Sequence, residues 1–352
     1  VNLNDSSDGR FFYYKKQGGN KMKKSNLFKI ISIILSMVIL SGCAASGGTG
    51  GEAPAEEGEK FVVGINQLAE HPALDAARDG FVEALEEAGV DVEVKYQNAQ
   101  GDIPTSLAIA QGFVKDEVDL IYAIATPAAQ SSKQATSDIP VLFSAVTDPV
   151  ASGLVDSMES PGGNVTGASD ATPMKEQLSM FKQLDPSIEQ IGIVFNTSES
   201  NSEIQVERAK EFADELGLEI VAVGVSNINE IPQAVDSIIN DIDGLYAITD
   251  NMVASAIAIV ADKVNAAGIP SIAAEGSMVD GGLLVSNGIS YFELGKQAGE
   301  MARKILVDGM SPAEIPSEKA GTTTTVFNQQ TLELLGLDPN HEVFQGAEAV
   351  GE

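Results

Sequence analysis

Two histidines, His71 and His341, one cysteine, Cys43, and 51 acidic residues bound the chemistry open to this chain. A serine–histidine–acid relay would have to run through one of the two histidines, and no G-x-S-x-G elbow accompanies either. A single cysteine excludes an internal disulfide and any cysteine-based metal cluster. There is no H-E-x-x-H and no Walker loop. The acids leave room for a glycosidase-type pair, but nothing in their spacing singles one out. What remains is recognition by hydroxyls, amides and carboxylates. Short polar runs follow apolar runs at residues 66–72, 125–128, 144–148, 196–198, 249–251 and 275–277. From these and the segment near 170 come the candidate ligand-binding residues: Gln67, His71, Thr126, Ser144, Thr147, Asp170, Asn196, Asp250, Asn251 and Glu275. His71 stands in an EHP turn, where it either lines a cleft or caps a helix. Thr126 and Ser144 either cap the helix or turn they precede or help aim backbone N–H groups at an anion. Residues 98–102 are expected to be structural, and Tyr291 and Phe292 to pack in a core. No catalytic residue, metal site or cofactor is expected.

The elements that must position these loops are written twice. From Lys60 the chain alternates β-rich runs with segments of helical spacing. Strands are expected at 61–65, 90–96, 120–124 and 139–143, with helices at 74–88, 103–114 and 127–136. A second copy runs through strands at 191–195, 218–223, 244–248 and 269–273, with helices at 203–216, 231–239 and 252–267. Gly89 and Gly217 follow the first helix of each copy as C-caps. DLIYAI (119–124) echoes DGLYAI (243–248), and IPV (139–141) echoes IPS (269–271). Each copy reads βαβαβαβ, the pattern of an α/β fold with parallel sheets and right-handed crossovers. Ligands of such sheets bind beyond the carboxyl ends of the strands. Two lobes facing each other therefore turn the polar loops into the walls of one cleft. The glycine-rich segment 161–167 is the expected first crossing between lobes. A helix at 294–306 is expected to pack on the first lobe, and a strand at 322–326 on the second.

Composition narrows the function classes further. The formal charge is −30. Phosphate contacts need a basic stripe, so nucleic acid is not an expected partner, and adhesion to anionic lipid is disfavoured too. Aromatic residues are 5% and tryptophan is absent, so the core rests on Val, Ile, Leu and Ala. Residues 22–43, MKKSNLFKIISIILSMVILSGC, join a lysine-bearing start to an apolar run too short for a comfortable span. LSGC at 40–43 resembles the bacterial lipobox, which implies a signal peptide at 22–42, cleavage before Cys43 and its lipidation. Residues 43–58 are small, polar and acidic, and read as a lipid-anchored flexible linker. Residues 1–21 fit no part of a signal peptide. Gln17-Gly18-Gly19 is encodable by CAAGGAGGN, which contains a ribosome-binding sequence, so Met22 is the expected start and 1–21 an untranslated stretch.

Within the folded part, EHPALDAARDGF (70–81), NAQGD (98–102), FSAVTDPV (143–150), PGGNVTGASD (161–170) and YFELGKQAGEMA (291–302) stand together. As a set they resemble the ABC-transporter substrate-binding family, over roughly residues 60–340. The resemblance is closest to the subgroup associated with tryptophan and tyrosine uptake. It implies two doubly wound parallel-sheet lobes of the periplasmic binding protein type I-like class, joined by a hinge that closes on ligand. Lobe 1 is expected at 59–166 and 286–314, and lobe 2 at 167–285 and 315–345. It also implies no catalysis, an aromatic amino acid as ligand, and an ABC permease and cytoplasmic ATPase as partners. The protein is expected to act outside the cytoplasm as a monomer, held to the membrane only through lipid at Cys43. A sensor lipoprotein presenting its closed form to a signalling partner is the other reading of the same features. For an amino acid, donors near Thr126 and Ser144 would take the carboxylate, and Asp170, Asp250 or Glu275 the ammonium, because burying either charge unpaired is costly.

Overall fold

The computed structural model describes residues 60–351. Expectations for 1–21, the signal peptide at 22–42, lipidation of Cys43 and the linker at 43–58 fall outside these residues. In chain order the elements are β1 (Phe61–Gln67), α1 (Pro72–Glu87), β2 (Val92–Asn98), α2 (Ile103–Lys115), β3 (Leu120–Ile124), α3 (Thr126–Ala135), β4 (Val141–Val146) and β5 (Val165–Ser169). There follow α4 (Met174–Leu184), β6 (Gln190–Asn196), α5 (Ser200–Leu216), β7 (Glu219–Val225), α6 (Ile231–Ile238), β8 (Gly244–Ala247), α7 (Asn251–Ser255), α8 (Ile257–Ala266), β9 (Ser271–Ala273), α9 (Ser277–Asp280) and β10 (Val285–Gly288). The chain ends with α10 (Tyr291–Leu306), β11 (Glu318–Lys319), β12 (Thr324–Asn328), α11 (Gln329–Leu334) and β13 (Glu348–Val350).

The strands form two sheets, ordered β11-β5-β4-β3-β1-β2 and β13-β12-β10-β9-β8-β6-β7. Every pairing is parallel except β10 with β12. The central strands are continuous apolar runs: all of β3, LIYAI, is buried, as a parallel sheet covered by helices on both faces requires. Local chemistry sets the helix ends. Asp102 accepts from the Thr105 N–H at 2.9 Å to start α2, with Pro104 in its first turn. Gly217 ends α5 at φ 65°, a left-handed conformation that costs glycine little. The helix expected at 252–267 is broken at Ala256, whose φ of −113° leaves the helical range, so α7 stands as a separate short turn capped by Asp250.

Helices α1 and α10 pack in parallel at unusually close range. A Cβ on Gly80 would lie 2.0 Å from the Phe292 carbonyl oxygen, and one on Gly295 would lie 2.1 Å from that of Ala77. The two helices therefore start side by side, at the carboxyl ends of the first sheet.

Sheet membership moves the lobe boundaries. Val165 to Ser169 pairs with β4, and Gly167 packs where a Cβ would meet the Phe143 carbonyl oxygen at 2.1 Å. The segment 161–167 thus leads into a strand of the first lobe, and the crossing comes at 170–173 rather than at 166/167. Likewise β10 pairs with β9 and β12, so the crossing expected at 285/286 comes at 289–290, and β11 pairs with β5, so the one expected at 314/315 comes at 320–323. The second sheet runs on through β13, past 345. Among the described residues no helix is long and apolar enough to cross a membrane.

Candidate functional site

A small cavity lies between the lobes. His71, Asp170, Asp250, Asn251 and Glu275 line it, half of the residues singled out from sequence. The other five stand back from it. The Gln67 amide donates to the Ala69 carbonyl at 2.7 Å and to Asp75 at 2.8 Å, bracing the loop between β1 and α1. Ser144 shares a 2.6 Å hydrogen bond with the Tyr122 hydroxyl inside the first core. Thr126 is buried at the start of α3 with no partner for its hydroxyl among the described residues. Thr147 meets Thr249 across the cleft at 3.0 Å. Asn196 donates to Glu199 at 3.0 Å, one layer behind the cavity.

The three acids proposed for an ammonium differ in what already occupies them. Asp250 accepts from the Asn196 N–H (2.6 Å), the Ser202 hydroxyl (2.7 Å) and the Val253 N–H (2.9 Å), using both oxygens. Glu275 accepts from the N–H and hydroxyl of Ser277, each at 2.8 Å, one on each oxygen. Asp170 accepts the Tyr291 hydroxyl on Oδ2 at 2.7 Å, and its Oδ1 is buried without a partner. Burial pushes the Asp170 carboxyl up against the lowering effect of the Tyr291 and Thr147 hydroxyls. Burial likewise pushes Glu275 up to about 7, with Asp170 and Asp280 adding repulsion. Removing two such carboxylates from water disfavours their charged forms, and a cation placed between them would reverse that.

Behind this pair lies Glu199, pushed up to about 7 by burial and by the neighbouring Asp250. It accepts from the Asn251 side-chain amide at 2.5 Å. That contact leaves Asn251 Oδ1 to accept, so His71 meets it at 3.3 Å as an Nε2–H donor. Burial lowers the His71 pKa, favouring the neutral ring with Nδ1 as an acceptor. Nδ1 is buried without a partner.

Backbone supplies the rest of the wall. Ala73 and Leu74 occupy the first turn of α1 beside the cavity, and His71 at the N-cap makes no side-chain cap. Their N–H groups have no intrahelical acceptor and carry the positive end of the helix dipole. Ala145 also lines the cavity, at φ 56° in a register shift of β4. The lobes touch directly through His71–Asn251, Thr147–Thr249, Gln130–Ser200 (3.1 Å) and an Arg208–Asp148 ion pair (2.8 Å). The cleft is closed.

Sequence reasoning missed Glu199 and Asn201, and it placed Tyr291 in a core. Helix α5 starts at Ser200 rather than at the expected 203. Glu199 is therefore the N-cap of α5 and Asn201 stands in its first turn, both beyond the short polar run 196–198 from which Asn196 was taken. Among the described residues no group of three or more metal-ligating side chains is placed to hold an ion.

The model of one family, ABC transporter substrate binding protein, matches residues 62–350. The chain belongs to that family. The tyrosine-binding protein of Clostridioides difficile (strain R20291) is 41% identical over 321 residues, 89% of this chain and 93% of the relative. An ABC domain from Streptococcus pneumonia, solved in complex with L-Trp, is 32% identical with a TM-score of 0.80, covering 83% of this chain and 100% of its own. A substrate-binding protein with adhesive properties from Clostridium difficile, in a ligand-free, open structure, is 44% identical but has a TM-score of 0.64, covering 82% and 99%. The two-sheet architecture is the periplasmic binding protein type I-like fold. Members of this family are extracytoplasmic solute-binding proteins rather than enzymes, and they work with ABC permeases.

Proposed function

We propose that this chain captures an amino acid with an aromatic side chain and hands it to the permease of an ABC importer, tethered outside the membrane by lipid on Cys43. The observation that carries the ligand class is Asp170, a cavity-lining residue whose Oδ1 is buried with no donor. A buried acceptor of that kind calls for a charged donor. With Glu275 beside it and Tyr291 holding its other oxygen, Asp170 suits an ammonium group. The free N–H groups at the start of α1 suit the carboxylate of the same ligand, since α1 and α10 begin side by side. These groups replace Thr126 and Ser144 as the carboxylate donors. Asp170 and α1 belong to the hinge and the first lobe, and Glu275 to the second, so a bound zwitterion would bridge the cleft and favour its closed form. The better superposition on the L-Trp complex than on the more similar open structure supports a ligand-clasping arrangement.

Thermal unfolding of the purified chain from residue 43 onward, with amino acids, sugars and divalent metals added in turn, tests the reading. Tyrosine and tryptophan are expected to stabilise it, by about 2.7 kcal/mol at a hundred times their Kd. Stabilisation by sugars or metals alone would overturn the assignment.

A further inference from the structure

We propose that His71 and Asn201 read a hydrogen-bond donor on the ligand's side chain, so that the site takes phenol- or indole-bearing amino acids and rejects phenylalanine. The inference rests on the amino-acid reading and adds the rule by which side chains are sorted.

Three of the residues that line the cavity each carry a buried, unpartnered acceptor: Asp170 Oδ1, His71 Nδ1 and Asn201 Oδ1. The ammonium accounts for the first. The other two are fixed in their polarity by what surrounds them. His71 spends its Nε2–H on Asn251 Oδ1, which leaves a lone pair on Nδ1. Asn201 spends its Nδ2 on the Thr249 carbonyl at 3.1 Å and on Ser202 at 3.4 Å. Flipping the amide would set Oδ1 against that carbonyl, so Oδ1 is the atom left without a partner. His71 is 7% exposed and Asn201 2%, so solvent is a poor substitute for the missing donor.

Position separates this pair from the ammonium site. Asp170 follows β5 and His71 follows β1, three strand spacings apart in the first sheet, about 14 Å. Glu275 follows β9 and Asn201 follows β6, two spacings apart in the second, about 10 Å. Leu74, Ala254 and Met278 line the same cavity and supply apolar surface for a ring. A phenol O–H or an indole N–H at the far end would satisfy His71 or Asn201. A phenyl ring would seal both acceptors away from water with nothing to pair them, and sites of this kind discriminate strongly against the analogue that lacks the donor.

The test is a calorimetric series of L-tyrosine, L-tryptophan, L-phenylalanine and 4-fluoro-L-phenylalanine on the wild-type chain, repeated on Asn201→Leu and His71→Leu. Tyrosine is expected to bind roughly 30-fold or more tighter than phenylalanine and its fluoro analogue. In at least one variant that gap should shrink below about fivefold, mainly through lost tyrosine affinity. Equal wild-type binding of tyrosine and phenylalanine overturns the inference while leaving the amino-acid reading intact. So does a gap unchanged in both variants. Failure of all four to bind removes the amino-acid reading itself, and this inference with it. The wild-type series alone decides the matter if either variant fails to fold.

Discussion

The two lobes share a topology but shape their halves of the cleft by different means. Lobe 1 uses backbone strain. All four non-glycine residues with positive φ among the described residues (Gln100, Glu117, Ala125 and Ala145) belong to it. Two of them, Ala125 and Ala145, stand at the carboxyl ends of β3 and β4. Lobe 2 uses buried polar side chains. By the internal repeat, Ala125 corresponds to Thr249 and Ala145 to Glu275. Thr249 and Glu275 adopt ordinary backbone and carry their function in hydrogen bonds, to Gln205 and Thr147 in one case and to Ser277 in the other. Lobe 2 is therefore a pre-satisfied surface whose acids are mostly spoken for. Among the cavity-lining residues the unpartnered acceptors are Asp170 Oδ1 at the hinge, His71 Nδ1 in lobe 1 and Asn201 Oδ1 in lobe 2. A shared fold thus leaves open which lobe binds and which one merely holds shape, and the occupancy of each oxygen decides it.

The largest expected effect separates a spent acid from an unspent one. Asp170→Ala should cost about 3–5 kcal/mol of amino-acid affinity, because the ammonium loses its buried partner. It should move the unfolding midpoint less, since the Tyr291 hydroxyl loses its acceptor while Thr147 keeps its contact with Thr249. Asp250→Ala strands three donors in lobe 2 and should lower stability by about 3 kcal/mol or more, with affinity changed less than about tenfold. Calorimetry and urea unfolding on both variants provide the check. The reverse pattern, affinity lost in Asp250→Ala and retained in Asp170→Ala, would falsify the division.

The same division governs how much could be read from sequence. The repeat was legible because apolar runs such as LIYAI and GLYA alternate with helical spacing, and parallel sheets covered on both faces leave that mark. The cleft was legible from topology, so Asp170, Asp250 and Glu275 all came forward as acids near strand ends. Sequence could not rank them, because occupancy depends on tertiary neighbours: Ser202 lies 48 residues from the Asp250 it donates to, and Tyr291 lies 121 from Asp170. Asn201 was hidden because it stands in the first turn of α5, past the short polar run at 196–198 that follows β6. The crossing at 161–167 was misplaced because glycine there serves close packing on Phe143 rather than a hinge. Strain at Ala125 and Ala145 has no sequence signature, since alanine is not a turn residue.

A second contrast lies between the empty and filled cavity, and pH sharpens it. Glu275 and Glu199 rise from an ordinary value of 4.5 to about 7 in the folded chain. Between those values the folded state holds protons that the unfolded chain has released. That contribution is fully present below about 4.5 and is lost as pH rises through about 7. Burial of His71 works the other way, lowering its pKa so that stability grows as pH rises through the histidine range, but it is one group against several. The unliganded protein is expected to lose stability from pH 5 to pH 8, at about 1.4 kcal/mol per pH unit for each extra proton held. An ammonium ligand prefers ionised Glu275, so the stabilisation it provides should grow over the same range and binding should release protons. Thermal unfolding across pH, with and without tyrosine, and calorimetry in buffers of different ionisation enthalpy measure both. A ligand-induced shift that shrinks as pH rises would place the ammonium away from Glu275.

The smallest effect tests lobe 1's strain directly. Replacing a fully buried alanine in ordinary strand backbone with glycine loses a methyl group, about 0.8 kcal/mol, and adds backbone freedom to the unfolded chain, about 0.5–1 kcal/mol. Ala273 in β9 is such a residue, so Ala273→Gly should cost about 1.5 kcal/mol. Ala125 is as deeply buried, but it sits at φ 85° and ψ 155°, a region open almost only to glycine. Relief of strain there, about 1–3 kcal/mol, offsets the same losses, so Ala125→Gly should lie between about 0.5 kcal/mol destabilising and about 1.5 kcal/mol stabilising. The corresponding lobe 2 substitution, Thr249→Gly, removes hydroxyl contacts to Gln205 and Thr147 and should destabilise. A marked gap between these repeat-matched positions is the expected result in urea unfolding. Equal costs at Ala125 and Ala273 would mean that the backbone at Ala125 stores no strain, and the contrast between the lobes would then rest on hydrogen bonding alone.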